Sequence, residues 1–253
     1  VMSAKRALVT GGTAGLGRAL CDQLVAQGYT VVSADLKAPS RDCGFEHIAC
    51  DLAQRHSVDF LAEQLAKREP FDLVIFNAGI SATGRFEDIA PEAHVRVLAV
   101  NADAPLTLCA AFLKNNTIKR GGHIGFVSSL SHFTGYPGAA SYAAAKDTLA
   151  VYAKSVRKPF AKTRNISVTC AYPGPLKTEH AARHAPKDAK AEKRLEPAQA
   201  ARFILADTLA GKARSFPGTG TALFALSGRA APGLLTQAMR KIIYDKLDRK
   251  VED

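Results

Sequence analysis

The 253-residue sequence has no room before its first apolar run, Ala7-Leu-Val-Thr10, for a secretory leader, and no uninterrupted apolar stretch approaches the roughly 20 residues of a membrane span. A cytoplasmic protein is therefore expected. The five cysteines (Cys21, Cys43, Cys50, Cys109 and Cys170) are odd in number, scattered, and show no CxxC or Cys/His spacing. That argues against a disulfide framework and a zinc site, and no metal is expected. There is no repeat of roughly 20–50 residues and no low-complexity tract, which removes solenoids and arrays from consideration. Acidic residues are scarce, 23 against 34 lysines and arginines, for a net charge of +11. Such a field attracts nucleic acid, an anionic membrane or an acidic partner. Much of the excess follows residue 150, and no base-reading motif with stacking aromatics accompanies it. A solvated basic face is the simpler reading, and no nucleic-acid partner is expected.

What is present is alternation. Short β-branched runs (Ala7–Thr10, Thr30–Ala34, His47–Ala49, Asp72–Phe76, His123–Val127, Ile166–Cys170) are separated by helical patterns over Arg18–Gln27, Ser57–Lys67, Ala93–Leu113, Ser141–Lys158 and Pro197–Leu209. Repeated β-α units predict an α/β fold, a doubly wound Rossmann-like domain over residues 1–253 with six or seven parallel strands and helices on both faces. Residues 221–226 fit a seventh strand or a helix. Residues 178–196 read as an insertion over a site, and residues 228–253 as a basic amphipathic extension.

The first strand enters Thr10-Gly11-Gly12-Thr13-Ala14-Gly15-Leu16-Gly17 and then a helix, the context in which glycines let backbone approach a pyrophosphate. Asp35 ends the next strand, where a carboxylate accepts both adenosine-ribose hydroxyls and repels a 2′-phosphate. Leu36 follows in place of a cation, so NAD is the expected cofactor; Lys37 and Arg41 nearby keep NADP as the lesser alternative.

This TGxxxGxG loop resembles that of the short-chain dehydrogenase/reductase family, in its branch of about 250 residues. The resemblance continues in chain order through Asp51-Leu52, Asn77-Ala78-Gly79, Asn101, Ser128-Ser129, Tyr142-Ala-Ala-Ala-Lys146 and Pro173-Gly174-Pro-Leu176-Lys-Thr178. Ser129 stands thirteen positions before Tyr142, the family separation. The resemblance implies Asn101, Ser129, Tyr142 and Lys146 as catalytic residues. Cofactor contacts would come from Gly11, Thr13, Gly15, Leu16, Gly17, Asp35, Asp51, Leu52, Asn77, Ala78, Gly79, Pro173, Gly174, Leu176 and Thr178, with Tyr142 and Lys146 also touching the cofactor. Lys146 would hold the nicotinamide ribose and Asn101 a water leading from that lysine to solvent.

The Tyr-Lys spacing has a physical reason, since residues four apart share a helix face. A cation beside the phenol is expected to lower its pKa from about 10 toward working pH. Tyr142 then gives a proton to a carbonyl or takes one from an alcohol, and Ser129 donates to the substrate oxygen. Ser128 reads as a strand-end hydroxyl that satisfies backbone.

Substrate choice is expected in the loops 80–86, 130–137 and 175–196, with Phe133 and Tyr136 as apolar walls and His132, His180 or His184 near polar groups. The glycine-rich segment with which many family members end is missing. Instead Leu235, Met239, Ile242, Ile243 and Leu247 recur at helical spacing opposite Arg240, Lys246, Arg249 and Lys250. This predicts a helix that packs on the domain or a second subunit, or that touches an anionic membrane and admits a lipophilic substrate. The expected function is NAD(H)-dependent interconversion of a secondary alcohol and a ketone, by a homodimer or homotetramer. The alternatives are an NADPH-dependent reductase of carrier-bound 3-oxoacyl chains and a cofactor-binding regulator without chemistry.

Overall fold

The computed structural model describes residues 4–185, 194–247 and 250–253. Seven parallel strands form the central sheet: β1 (Arg6–Thr10), β2 (Thr30–Asp35), β3 (Glu46–Ala49), β4 (Phe71–Phe76), then, past a short strand β5 (Ala82–Thr83) outside it, β6 (Ile118–Val127), β7 (Ser167–Ala171) and β8 (Arg214–Ser215). Their order is β3-β2-β1-β4-β6-β7-β8. The chain winds outward through β2 and β3, then returns to place β4 on the other flank of β1. The strand ends at Thr10 and Phe76 therefore flank the switch point, where sheets of this kind bind ligands.

The strands read as continuous apolar runs because helices cover both faces. On one face, α1 (Gly15–Ala26) and α7 (Pro197–Leu209) bury Leu16, Leu20, Leu24, Ala200, Ile204 and Leu205 against Val9 and Ile75. On the other lie α2 (Arg55–Ala66), the pair α3 (Pro91–Leu98) and α4 (Ala104–Lys114), and α5 (Ala140–Arg164). There Phe76 stacks between Phe126 and Phe112, with ring centroids 5.0 and 6.2 Å away, and Leu108 and Leu149 close the layer. All five cysteines are free, four of them buried.

Four readings of the sequence are sharpened or changed. The helix expected to stop before Pro159 continues to Arg164 and closes on Asn165, whose φ of 55° is the left-handed cap a helix end accepts. Phe160 beyond the proline packs on the core, which offsets the lost backbone bond. Residues 221–226 lie in a helix, α8 (Thr221–Ala230), and β8 is the seventh strand, too short for its periodicity to be read. Burial explains the choice: Ala225 and Gly228 face inward three residues apart, whereas Leu223 and Leu226 are exposed.

Third, the helix expected over Ala93–Leu113 is present from Pro91 to Lys114 as α3 and α4 joined by a π-helical turn at Ala99–Asp103; by length and composition it could cross a membrane, although half of its most apolar window is buried here. The fourth concerns the basic C-terminal helix, which does not run through Lys250. After α6 (Glu179–Arg183) and α7, helix α9 (Pro232–Ile242) ends early. A single 3-10 turn at Tyr244–Lys246 follows, then strand β9 (Val251–Glu252), antiparallel to β5. Arg249 and the 186–193 part of the expected insertion lie outside the described residues.

Candidate active site

At the switch point the backbone is packed closely enough to dictate glycine. Gly11, at φ +66°, would bring a Cβ to 2.7 Å from the Ala78 Cα, and a Cβ on Gly17 would lie 1.8 Å from the Gly11 carbonyl oxygen. Asn77 ties the two strand ends together: its Nδ2 donates to the carbonyls of Thr10 and Gly11, both at 3.1 Å. The Thr10 hydroxyl accepts from the backbone N–H groups of Asn77 and Ala78 at 3.0 and 3.1 Å. Helix α1 begins behind Ala14 with no side-chain cap and no acidic residue in its first turn. Its leading N–H groups are thus left to an anion.

Around this cradle stand the remaining cofactor candidates. Asp35 Oδ2 accepts from the Thr13 N–H at 3.1 Å and its hydroxyl at 2.8 Å, which places a carboxylate on the loop. Gly15 (φ +53°) meets Thr178, whose Cγ2 would be 3.2 Å from an added Cβ, so the segment after β7 closes over the loop. Thr178 also caps α6 by accepting from the Ala181 N–H at 3.1 Å. Pro173 accepts from the Leu130 N–H at 3.2 Å, and Gly174 lies against Leu130. The side chains of Leu16, Leu52 and Leu176 turn into the core, which leaves them only backbone to offer a ligand. Asp51 Oδ1 accepts from the Ala53 N–H at 2.9 Å. The arrangement fits a dinucleotide: a side-chain-free cradle, an uncapped helix start and an acidic group beyond it.

The catalytic candidates converge at the end of β6. Lys146 is buried, and its Nζ donates to the Val127 carbonyl at 2.8 Å while lying 5.8 Å from the centre of the Tyr142 ring. A Cβ on Gly79 would be 3.1 Å from that Nζ and 3.6 Å from Asn101 Oδ1, so Gly79 joins these two groups. Asn101, fully buried in the π-helical turn, accepts from the Ile80 N–H and donates to the Ile80 carbonyl, both at 2.9 Å. Its side chain thus fixes the loop after β4, a role distinct from that implied by the resemblance. Ser128 donates to the Lys146 carbonyl at 2.7 Å, a backbone-satisfying role as read from the sequence.

Charge behaves differently from the expectation. Burial pushes the Tyr142 phenol up to about 12, against which a hydrogen bond with Ser129 pulls it down. Burial likewise brings Lys146 down to about 8. Among the causes of the Tyr142 shift, the hydrogen bond with Ser129 is the one that favours the phenolate.

On the substrate side Tyr136 meets Tyr142 edge-on, centroids 6.3 Å apart. Phe133, expected as a pocket wall, is buried against Tyr172 and Phe216 instead, and His132 pairs with Asp147. His180 and His184 both reach Asp253, at 3.1 and 2.9 Å. The tail crosses all three loops expected to select substrate. Thr236 donates to the Thr134 carbonyl, Leu247 packs on Gly138, Lys250 covers Gly84, and Asp253 accepts from the Ser81 N–H at 3.1 Å. Sequence reasoning missed Asp253 and this roof, since the contacts join residues up to 172 positions apart.

Comparison with known proteins bears on the same residues. Residues 5–189 match the family model described as short chain dehydrogenase. A Drosophila melanogaster relative, "Dehydrogenase/reductase SDR family protein 7-like", is 30% identical over 190 residues, 69% of this chain, which spans 58% of that relative's length. A human "3-oxoacyl-[acyl-carrier-protein] reductase" is 30% identical over 213 residues, 78% of this chain and 89% of that one. A crystal structure of a short-chain dehydrogenase from Burkholderia cenocepacia J2315 in complex with NADP superposes with a TM-score of 0.78 at 23% identity, covering 94% of this chain and 98% of that one. With the Rossmann-like sheet, the glycine cradle and the Ser129-Tyr142-Lys146 cluster in place, the chain belongs to the short-chain dehydrogenase/reductase family of oxidoreductases.

Proposed function

We propose that this protein interconverts a secondary alcohol and a ketone with NAD(H), Tyr142 acting as general acid and base. The observation that carries the reading is the position of the buried Lys146, whose Nζ lies 5.8 Å from the centre of the Tyr142 ring and donates to the Val127 carbonyl two residues before Ser129. When bound, the nicotinamide supplies or accepts the hydride. Tyr142 donates its phenolic proton to the oxygen of a carbonyl being reduced and removes it from an alcohol being oxidised. Ser129 holds that oxygen and favours the anionic side of the exchange. Lys146 keeps a cation beneath the phenol, and Asn101 holds the loop against which that lysine rests. Asp35 supports NAD over NADP, since a second negative charge would face its carboxylate.

A second reading, reduction of carrier-bound 3-oxoacyl chains, is favoured by the human relative and by the net charge of +11, which suits an acidic carrier. Assembly into a dimer through α4 and α5 is supported by the exposure of Val151. Turnover of NADH and NADPH with ketones, secondary alcohols and a 3-oxoacyl thioester decides among these. Turnover with NADH and simple ketones that disappears in Tyr142→Phe supports the proposal. NADPH turnover confined to the thioester favours the carrier reading, and cofactor binding without any turnover favours a regulator.

A further inference from the structure

The roof contains a cluster that the chemistry above does not use. His180 and His184 sit one turn apart around α6, and their rings lie 4.7 Å centroid to centroid. Both approach the same atom, Asp253 Oδ2: His180 Nδ1 at 3.1 Å and His184 Nε2 at 2.9 Å. One ligand atom from each residue lies within 4.8 Å of the other two. His184 and the Asp253 carboxylate are buried, at 6% and 8% exposure.

We propose that His180, His184 and Asp253 form a binding site for a divalent transition-metal ion of the zinc class, which pins the tail strand β9 to α6 and β5. Two imidazoles and a carboxylate are a donor set zinc accepts, with a fourth position left for water. At metal–ligand distances near 2.0–2.2 Å, tetrahedral neighbours are roughly 3.3–3.6 Å apart, so the two His–Asp separations open slightly while the ligand atoms of the two histidines, within 4.8 Å of each other, settle on the ion.

The surroundings are arranged as a second layer. The Thr83 hydroxyl lies 2.9 Å from His184 Nδ1 and orients the ring so that Nε2 faces Asp253. A hydroxyl accepts as well as donates, so Thr83 serves either tautomer of His184. Arg183 pairs with Oδ1 at 3.0 Å, which leaves Oδ2, an oxygen that also accepts from the Ser81 N–H, to face the two imidazoles and the ion. The rival arrangement is a metal-free clasp in which both imidazoles simply donate to Oδ2. The proposal departs from the expectation that no metal binds, which rested on cysteine spacing. It stands independently of the proposed reaction.

The test uses the full chain, purified without a histidine tag and stripped with chelator. Equilibrium dialysis against Zn²⁺, with bound metal measured by mass spectrometry, is expected to give one ion per chain and a raised Tm. Co²⁺ in its place should give the visible bands of a tetrahedral site. His180→Ala and Asp253→Asn should lose the ion, and the near-isosteric Thr83→Val should weaken binding about 10–100-fold. His94→Ala, away from the cluster, should bind as the wild type does, and far-UV circular dichroism checks that each variant folds. Wild-type protein that binds no Zn²⁺ at these residues, or His180→Ala that folds and binds equally well, overturns the proposal in favour of the clasp.

Discussion

Around the glycine loop, the chain is held by backbone against backbone: an added Cβ at Gly17 would sit 1.8 Å from a carbonyl oxygen, and Asn77 spends its amide on two more carbonyls. Across Tyr142, the roof is held by side chains from the tail, Leu247 on Gly138, Lys250 on Gly84 and Asp253 on His184. The first region tolerates almost no change of residue type, because backbone packing admits few alternatives. The second is assembled from separable contacts, each replaceable by another of similar size. On the proposed function, the reaction would rest on the rigid half and substrate choice on the adjustable one, and variants in the two halves should fail in different ways.

The largest effect is expected at the junction. Tyr142→Phe should lower kcat by about 10²–10⁴-fold while cofactor Kd stays near the wild-type value, measured by steady-state kinetics and fluorescence titration. A loss in Kd as large as that in kcat would mean that Tyr142 belongs to the cradle and that the two halves are not separable.

Next comes pH. Burial lowers Lys146 from 10.5 to about 8, so between those values the unfolded chain binds more protons than the folded one. The cost of the buried ammonium is present in full below about 8 and is relieved as pH rises toward 10.5. Relative to Lys146→Met, which has no such group, the wild type should gain up to ~3 kcal/mol across that window, read from urea unfolding at both ends. A pH-independent difference would place Lys146 in a wetter setting than the rigid half allows.

Asp35→Asn probes the far end of the cradle. Loss of charge-assisted hydrogen bonds worth ~1.5–3 kcal/mol should weaken NADH by about 10–100-fold and narrow its advantage over NADPH. Unchanged preference would move cofactor choice from Asp35 to Lys37 or Arg41. The smallest effect is expected in the roof: Leu247→Ala should alter KM for bulky ketones by roughly three- to tenfold, the size of a few lost methylenes, and leave cofactor Kd untouched. A shift in cofactor Kd would break the separation.

The same contrast explains what could be read from the sequence. The loop from Thr10 to Gly17, Asn77-Ala78-Gly79 and the Tyr142-Lys146 pair are local, so their spacing carried the fold, the switch point and the grouping of Gly79, Asn101 and Lys146. Local spacing could not show that Lys146 donates to Val127 in preference to the phenol, or that Phe133 packs on Tyr172 and Phe216, because those depend on where neighbouring strands end. It could not show the roof either. Periodicity extended α9 through Lys250, whereas pairing of β9 with β5 draws the tail out of helix and across the site.

The central claim, transfer of hydride to a carbonyl carbon with the proton coming through Tyr142, is tested most directly by isotope. A ketone that turns over is reduced either with NADH carrying deuterium at C4 in ordinary water or with unlabelled NADH in D₂O, and the alcohol is analysed by mass spectrometry. The account predicts carbon-bound deuterium from the labelled cofactor and only exchangeable deuterium from the solvent. Carbon-bound deuterium from D₂O, or none from either labelled face of the cofactor, would contradict it.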